Sequence, residues 1–146
     1  MKRSEHTYSE VELRNILSNY HWMIKEVKRI NDILSDVDSN ITGQYGIEAT
    51  LPKPKGLTKD AMTNEVIRRD KKRERKLRLL NKIEYVQNKI SLITDEREKV
   101  VLDCLLDGMS INAISNHMGL SRKHIERLRE SIVNKMSQMS QMSHNF

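Results

Sequence analysis

Apolar residues in this chain recur three and four positions apart over most of its length, and that spacing admits few folds. From about Ser9 to Leu34 they fall at Leu13, Ile16, Leu17, Tyr20, Met23, Ile24, Val27, Ile30 and Leu34. A helix with 3.6 residues per turn gathers these positions into one stripe and leaves Glu12, Arg14, Lys25, Glu26 and Lys28 on the opposite side. A strand would scatter them over both faces. Ser9 or Thr7 can cap the start of this helix. With five Gly, two Pro, one Trp, four Tyr and one Phe in 146 residues, the chain lacks the turn and strand chemistry of a sandwich, barrel or doubly wound sheet. The expected fold class is all-α, with each stripe requiring an apolar partner.

The periodicity stops between Ser35 and Leu57, where Asp36, Asp38, Ser39, Asn40, Gly43, Gly46, Pro52, Pro54 and Gly56 collect. This reads as a loop or hinge. Within it, the stretch Gln44 to Gly56 still holds Tyr45, Ile47 and Leu51, which can pin it to a helix as a functional loop or as an ordered bridge. A second helical pattern begins near Thr58 or Asp60 and runs through Met62, Val66, Ile67, Leu79, Leu80, Ile83, Val86, Ile90 and Ile93. From Leu79 onward the steps of four and three resemble a coiled-coil seam. Pairing with the first helix would bury both stripes; association into a homodimer would do the same.

Between Ile67 and Leu79 only Leu77 is apolar, and the gap coincides with the basic block Arg68 to Arg78, eight cations in eleven positions. Such a segment has no continuous stripe to bury and crosses either solvent or a ligand. The formal net charge of +6 resides entirely in this middle third. Met1 to Leu57 carries eight basic and eight acidic residues, Thr58 to Ile93 eleven and five, and Thr94 to Phe146 seven and seven. A block of this kind stays solvated or meets a polyanion. Three segments follow: residues 1–57, an N-terminal amphipathic helix with its ordered loop; 58–93, a basic helix with a coiled-coil-like stretch; and 94–146, a helix-turn-helix.

The last assignment rests on tight punctuation. Thr94 is expected to cap a helix whose first turn holds Asp95, Glu96 and Glu98 and whose buried side is Val100, Val101, Cys104 and Leu105. Asp107-Gly108 stops it, Ser110 caps a short helix from Ile111 to His117 or Met118, and Gly119-Leu120-Ser121 forms a tight turn. Ser121 then caps a helix from Arg122 that carries Ile125, Leu128, Ile132 and Met136 inward. Two helices joined this closely cross steeply, which calls for a small residue at the crossing and a glycine in the reversal; Ser115 and Gly119 supply them. The tail repeats Met-Ser-Gln from Met136 to Met142, which either extends the last helix or frays.

The run Thr94-Asp-Glu-Arg-Glu-Lys-Val-Val-Leu102, followed by Asp107-Gly-Met-Ser-Ile-Asn-Ala-Ile-Ser-Asn-His-Met-Gly-Leu-Ser-Arg-Lys-His-Ile-Glu-Arg-Leu-Arg129, resembles region 4 of bacterial sigma factors, the C-terminal promoter-reading domain. Together with Tyr45 to Lys53 and Asn64 to Arg69, the whole chain resembles the small phage and prophage regulators of the ArpU and RinA type. The resemblance implies control of late phage genes through sequence-specific promoter binding, activation, contact with RNA polymerase and residence in the cytoplasm of a bacterial host cell. Nothing upstream resembles the aromatic-rich domain with which a complete sigma factor melts the minus-ten element; the single Trp is Trp22. An accessory activator fits better than an autonomous sigma factor.

A helix-turn-helix lays its last helix in the major groove of double-stranded DNA with the N-terminal turns facing base edges. Subtracting the inward set leaves Arg122, Lys123, Glu126 and Arg127 toward the groove, with His124 at its margin and Arg129 and Lys135 farther along. Arg122 and Arg127 suit guanine because a guanidinium donates two parallel bonds to O6 and N7. Glu126 can accept from cytosine N4 or orient a neighbouring Arg. Ser121, Ser110 and Asn112 carry donors suited to phosphate oxygens. Because the C-terminal third is neutral, sequence-independent attraction to phosphates is assigned to Arg68, Arg69, Lys71, Lys72 and Arg73, or these form a solvated face offset by Asp70 and Glu74.

The sequence carries no His-Glu-x-x-His, no Cys pair, no Gly-rich phosphate loop and no Ser flanked by glycines, so no catalytic residue, cofactor or metal ligand is assigned. His117 and His124 are divided by the turn, which argues against a metal there. The lone Cys104 reads as a core thiol of a reducing compartment. No apolar run approaches the ~20 residues that span a bilayer, and Met1, Lys2 and Arg3 precede polar residues rather than a signal-peptide core. Two other readings remain: a phage small terminase-like packaging subunit, and a helical adaptor that binds nucleic acid through its basic helix.

Overall fold

The computed structural model describes residues 7–44 and 59–142, with side chains at 7–35 and 59–137. Among these the chain is all-α, with five helices and no strand: α1 (Glu10–Gln44), α2 (Lys59–Lys89), a short 3₁₀ turn (Ile90–Leu92), α3 (Glu96–Leu106), α4 (Ile111–Met118) and α5 (Arg122–Met142).

α1 opens on a reciprocal cap. Ser9 Oγ accepts from the Glu12 amide at 3.3 Å, and Glu12 returns a carboxylate to the Ser9 amide at 2.9 Å, satisfying two donors that a helix start leaves open. The helix then continues ten residues beyond Leu34, through Ser35–Gln44, where the polar cluster reads as the start of a loop. Asp, Ser and Asn have only modest helix penalties, and one Gly costs about 1 kcal/mol; Pro alone is prohibitive, and both prolines lie farther on at Pro52 and Pro54. The expected anchors Tyr45, Ile47 and Leu51 lie outside the described residues.

The helix after the basic block also departs from its pattern. α2 ends at Lys89, Ile90 sits in the 3₁₀ turn half-exposed, and Ile93 is extended and buried. The cause is the cap that follows. Asp95, rather than Thr94, caps α3: its backbone is extended and its carboxylate accepts from the Glu98 amide at 3.1 Å. An N-cap needs non-helical backbone before it, so α2 cannot run into α3.

The described chain divides into two compact units. The first comprises residues up to Met23 and from Lys82 onward. Its buried side chains are Tyr8, Leu13, Ile16, Leu17 and Met23 from the N-terminal segment, Ile83, Tyr85 and Val86 from the end of α2, Ile93, then Val101, Leu102, Cys104 and Leu105 of α3, Ile114 of α4, and Ile125, Ile132, Val133 and Met136 of α5. The Tyr8 and Tyr85 rings meet edge-on, centroids 5.0 Å apart, and Lys89 Nζ lies 5.5 Å from the Tyr85 ring centre. Burial pushes the Tyr8 phenol and the Cys104 thiol up, which keeps the thiol protonated and inert, as a core residue should be.

α3 packs on α5 differently from its sequence reading. Glu98, Val101 and Leu105, three and four apart, form the inward stripe with Leu102 beside it, so Val100 falls on the solvent side, 38% exposed. Glu98 is itself buried, and its carboxylate accepts from Ser131 Oγ and from Lys135 Nζ, each at 2.6 Å. This interaction recruits Lys135 into the α3–α5 contact, removing it from the outward row of cations in which its sequence position placed it.

The second unit spans Ile24–Asn81. Val27, Ile30 and Leu79 are buried, and Glu26 accepts two bonds from Arg29 at 2.7 and 2.8 Å, with Arg75 at 4.0 Å. Those bonds to Arg29 hold the Glu26 carboxyl below its ordinary value. Along the basic block Arg69, Lys72 and Lys76 are half-buried, whereas Arg68, Lys71, Arg73, Arg75, Leu77 and Arg78 are exposed. Met62, Val66 and Ile67, which the helical pattern places on a stripe available for burial, are exposed instead, so the N-terminal half of α2 buries no stripe.

Candidate nucleic-acid interface

The three C-terminal helices are set by short-range chemistry. α3 ends where Gly108 turns left-handed at φ +87°, its amide donating to Leu105 O and the Met109 amide to Cys104 O, both at 3.0 Å. This double closure satisfies carbonyls that the helix end leaves open. Ser110 Oγ accepts from the Ala113 amide at 3.1 Å and starts α4. Gly119, at φ +65°, closes α4 by donating to Ser115 O, and Ser121 Oγ accepts from the His124 amide at 3.2 Å to start α5. Ser115 does more than keep the helix crossing narrow. Its hydroxyl donates to Leu120 O while the Leu120 amide donates back to Ser115 O, so residue and turn are clipped together.

With Ile114, Ile125, Ile132, Val133 and Met136 buried, α5 has one orientation available. Ser121, Arg122, Lys123 and Arg127 are exposed, Glu126 is partly exposed, His124 is half-buried, and Ser110 and Asn112 are exposed on α4. Leu128, expected inward, is only half-buried. Arg122 Nε lies 3.3 Å from Glu126 Oε1, one turn away along α5, so the carboxylate orients the guanidinium on the outward face. Lys123, Glu126, Arg127, Arg129 and Glu130 line one open cleft. Three cations with Glu126 as an acceptor on the exposed edge of α5 suit an anionic, hydrogen-bonding ligand with both donors and acceptors, as a base-pair edge flanked by phosphates is.

One lining residue of this cleft, Glu130, and the partner that holds it, Arg14, are absent from the sequence reading of the site. Glu130 accepts a bidentate pair of bonds from Arg14 of α1, Nε to Oε1 at 2.7 Å and Nη2 to Oε2 at 2.6 Å. The Arg14 bonds hold the Glu130 carboxyl below its ordinary value, and Glu130 in turn raises the Arg14 guanidinium. Glu130 has a signal in the sequence, three and seven positions after Arg127 and Lys123 on one face; Arg14, 116 residues away, has none. The cations that the sequence reading assigns to phosphates lie in the second unit, where Arg68 and Arg69 flank Glu65 at 3.7 and 3.9 Å and Arg73 pairs with Asp70 at 3.1 Å. Lys71 is exposed and Lys72 half-buried. Among the described residues no cluster of His, Cys, Asp or Glu is arranged to hold a metal ion, and no helix is long and apolar enough to cross a membrane.

A short helix capped by serine, a clipped glycine turn and a second serine-capped helix with an exposed cationic edge define a helix-turn-helix, the DNA-binding element of a transcription regulator. Comparison agrees: residues 95–143 match GerE, the luxR family of bacterial regulatory proteins. Beyond that domain, the chain belongs to the family of YqaQ from Bacillus subtilis (strain 168), an uncharacterized protein to which it is 33% identical over 138 residues, 87% of either chain. No solved structure matches it.

Proposed function

We propose that this chain is a sequence-specific regulator that places the first two turns of α5 in the major groove of double-stranded DNA. Arg122 and Arg127 donate to guanine edges, Lys123 to a base or phosphate, and Glu126 accepts from cytosine or aligns Arg122. Ser110, Asn112 and Ser121 fix the register on the phosphate backbone. Arg68, Arg69, Lys71, Lys72 and Arg73 supply sequence-independent attraction. The resemblance to phage regulators of the ArpU and RinA type extends the reading to activation of late phage genes with contact to RNA polymerase. The observation that carries the proposal is the exposure of Arg122, Lys123 and Arg127 over the fully buried Ile125 and Ile132.

The test is selection of bound fragments from random duplex DNA, followed by footprinting. Arg122→Ala with Lys123→Ala is expected to abolish the specific footprint and leave the helical circular dichroism intact; an unchanged footprint overturns the assignment. Neutralising Arg68, Arg69, Lys71 and Lys72 is expected to flatten the dependence of log affinity on log salt, by about 0.9 per lost phosphate contact, without altering the selected sequence. An altered sequence and unaltered slope would place these residues elsewhere.

A further inference from the structure

Both carboxylates of the α5 cleft are engaged by a guanidinium, but from different sources. Glu126 is served by Arg122 of its own helix. Glu130, on the same outward side as Lys123 and Arg127, is served by Arg14 of α1, with Arg129 Nη2 farther off at 3.6 Å. The Arg14–Glu130 pair is half-exposed, 35% and 44% by side chain. Ion pairs this solvated contribute little to folding. Their field instead falls on whatever enters the cleft, and a free carboxylate there would repel an approaching phosphate.

We infer that Arg14 is a positioning residue of the DNA-reading surface: by holding Glu130 in a bidentate pair, α1 neutralises the one cleft carboxylate that α5 does not pair strongly itself, and so sets how closely phosphates can approach. The inference rests on the reading of α5 as the groove helix. It assigns the N-terminal helix a part in nucleic-acid affinity that no cation count reveals, because Arg14 acts through Glu130 rather than by touching the duplex. The bidentate geometry matters. Two parallel bonds fix the carboxylate plane and engage both oxygens, whereas a single lysine contact would leave one oxygen facing the ligand.

The experiment compares wild type, Arg14→Ala, Glu130→Gln and the double variant for binding to a random-sequence duplex pool at low salt and to the duplex that wild type selects. Arg14→Ala is expected to weaken binding to both by roughly threefold or more, the effect of one unit charge at ~6 Å in water. Glu130→Gln is expected to bind at least as tightly as wild type, since a carboxylate disappears and a guanidinium is released. The double variant is expected to return to within about twofold of wild type, because nothing remains for Arg14 to mask. A merely structural Arg14 would not be rescued in this way, as a neutral amide in place of the Glu130 carboxylate cannot restore the ion pair.

Wild-type affinity in Arg14→Ala overturns the inference, as does a double variant as weak as Arg14→Ala or a Glu130→Gln protein that binds more weakly than wild type. Should Arg14→Ala lose its helical signal, Glu130→Gln alone decides: tighter or equal binding supports masking, and weaker binding refutes it. If wild type ignores every duplex at low salt, the groove reading itself fails, and that outcome is visible before any variant is compared.

Discussion

Gly108 and Gly119 are both left-handed, yet they differ in surroundings, and the difference predicts unequal costs for the same substitution. A Cβ at Gly119 meets nothing within 4 Å, so Gly119→Ala bears only the left-handed backbone penalty, ~1–2 kcal/mol. A Cβ at Gly108 would lie 2.9 Å from His21 Cδ2 and Cγ and 3.1 Å from His21 Cβ, against the ~3.5–4.0 Å of an ordinary carbon contact. Because His21 Cβ is among the near atoms, rotating the ring away is not enough and α1 itself must give. Overpacking of this kind adds ~1–3 kcal/mol, and for a chain of this length each kcal/mol lowers the midpoint by about 2–4 °C. Urea and thermal unfolding followed by circular dichroism should therefore rank Gly108→Ala clearly below Gly119→Ala. Adding His21→Ala, which removes the ring and keeps the Cβ, should relieve the two 2.9 Å contacts and recover part of the excess. Equal losses in the two glycine variants, or a Gly108→Ala loss indifferent to His21→Ala, would refute the seating of α1 against the α3–α4 turn.

Within the α3–α5 contact, Ser131→Ala is expected to cost ~1 kcal/mol and Glu98→Ala ~2–3 kcal/mol, since the second removes the carboxylate on which two bonds converge; urea midpoints in the reverse order would count against the network. The Arg14–Glu130 pair should make stability acid-sensitive. Because the bonds from Arg14 depress the folded-state value of Glu130 below its ordinary 4.5, the contribution is complete above that value and is lost as pH falls through the depressed one. Because the pair is half-exposed the effect is small: wild type should lose slightly more stability than Glu130→Gln between about pH 5 and pH 2, and a Glu130→Gln curve that falls more steeply than wild type would refute the depressed value.

What the sequence discloses follows the range of the interactions concerned. Ser110, Ser121, Gly108 and Gly119 act on amides and carbonyls within a few residues, so cap and turn chemistry locates α4, the reversal and the start of α5 from residue types alone. The outward edge of α5 follows from the same source, because Ile125, Ile132 and Met136 fix which side is left over. At Ser35–Gln44 the local signal misleads, since residues with modest penalties resemble a loop when clustered but do not stop a helix already propagating. Thr94 and Asp95 are both good caps, and residue type alone does not choose between neighbours one position apart. Glu98 with Lys135, and Arg14 with Glu130, are invisible for a different reason: each charge looks solvated until packing brings its partner alongside.

The serines that begin α4 and α5 have a property that an aspartate at either place would lack. A hydroxyl that accepts an amide at a helix start still owns its hydrogen, and that hydrogen is free to swing outward. One atom group can thus terminate the peptide ladder and, in the same geometry, offer a proton to an oxygen of a nucleotide linkage. Exchanging Ser110 or Ser121 for Asp would preserve the helix while placing a negative charge where the proposed binding mode brings a phosphate. Threonine, which retains the hydrogen, would keep both duties.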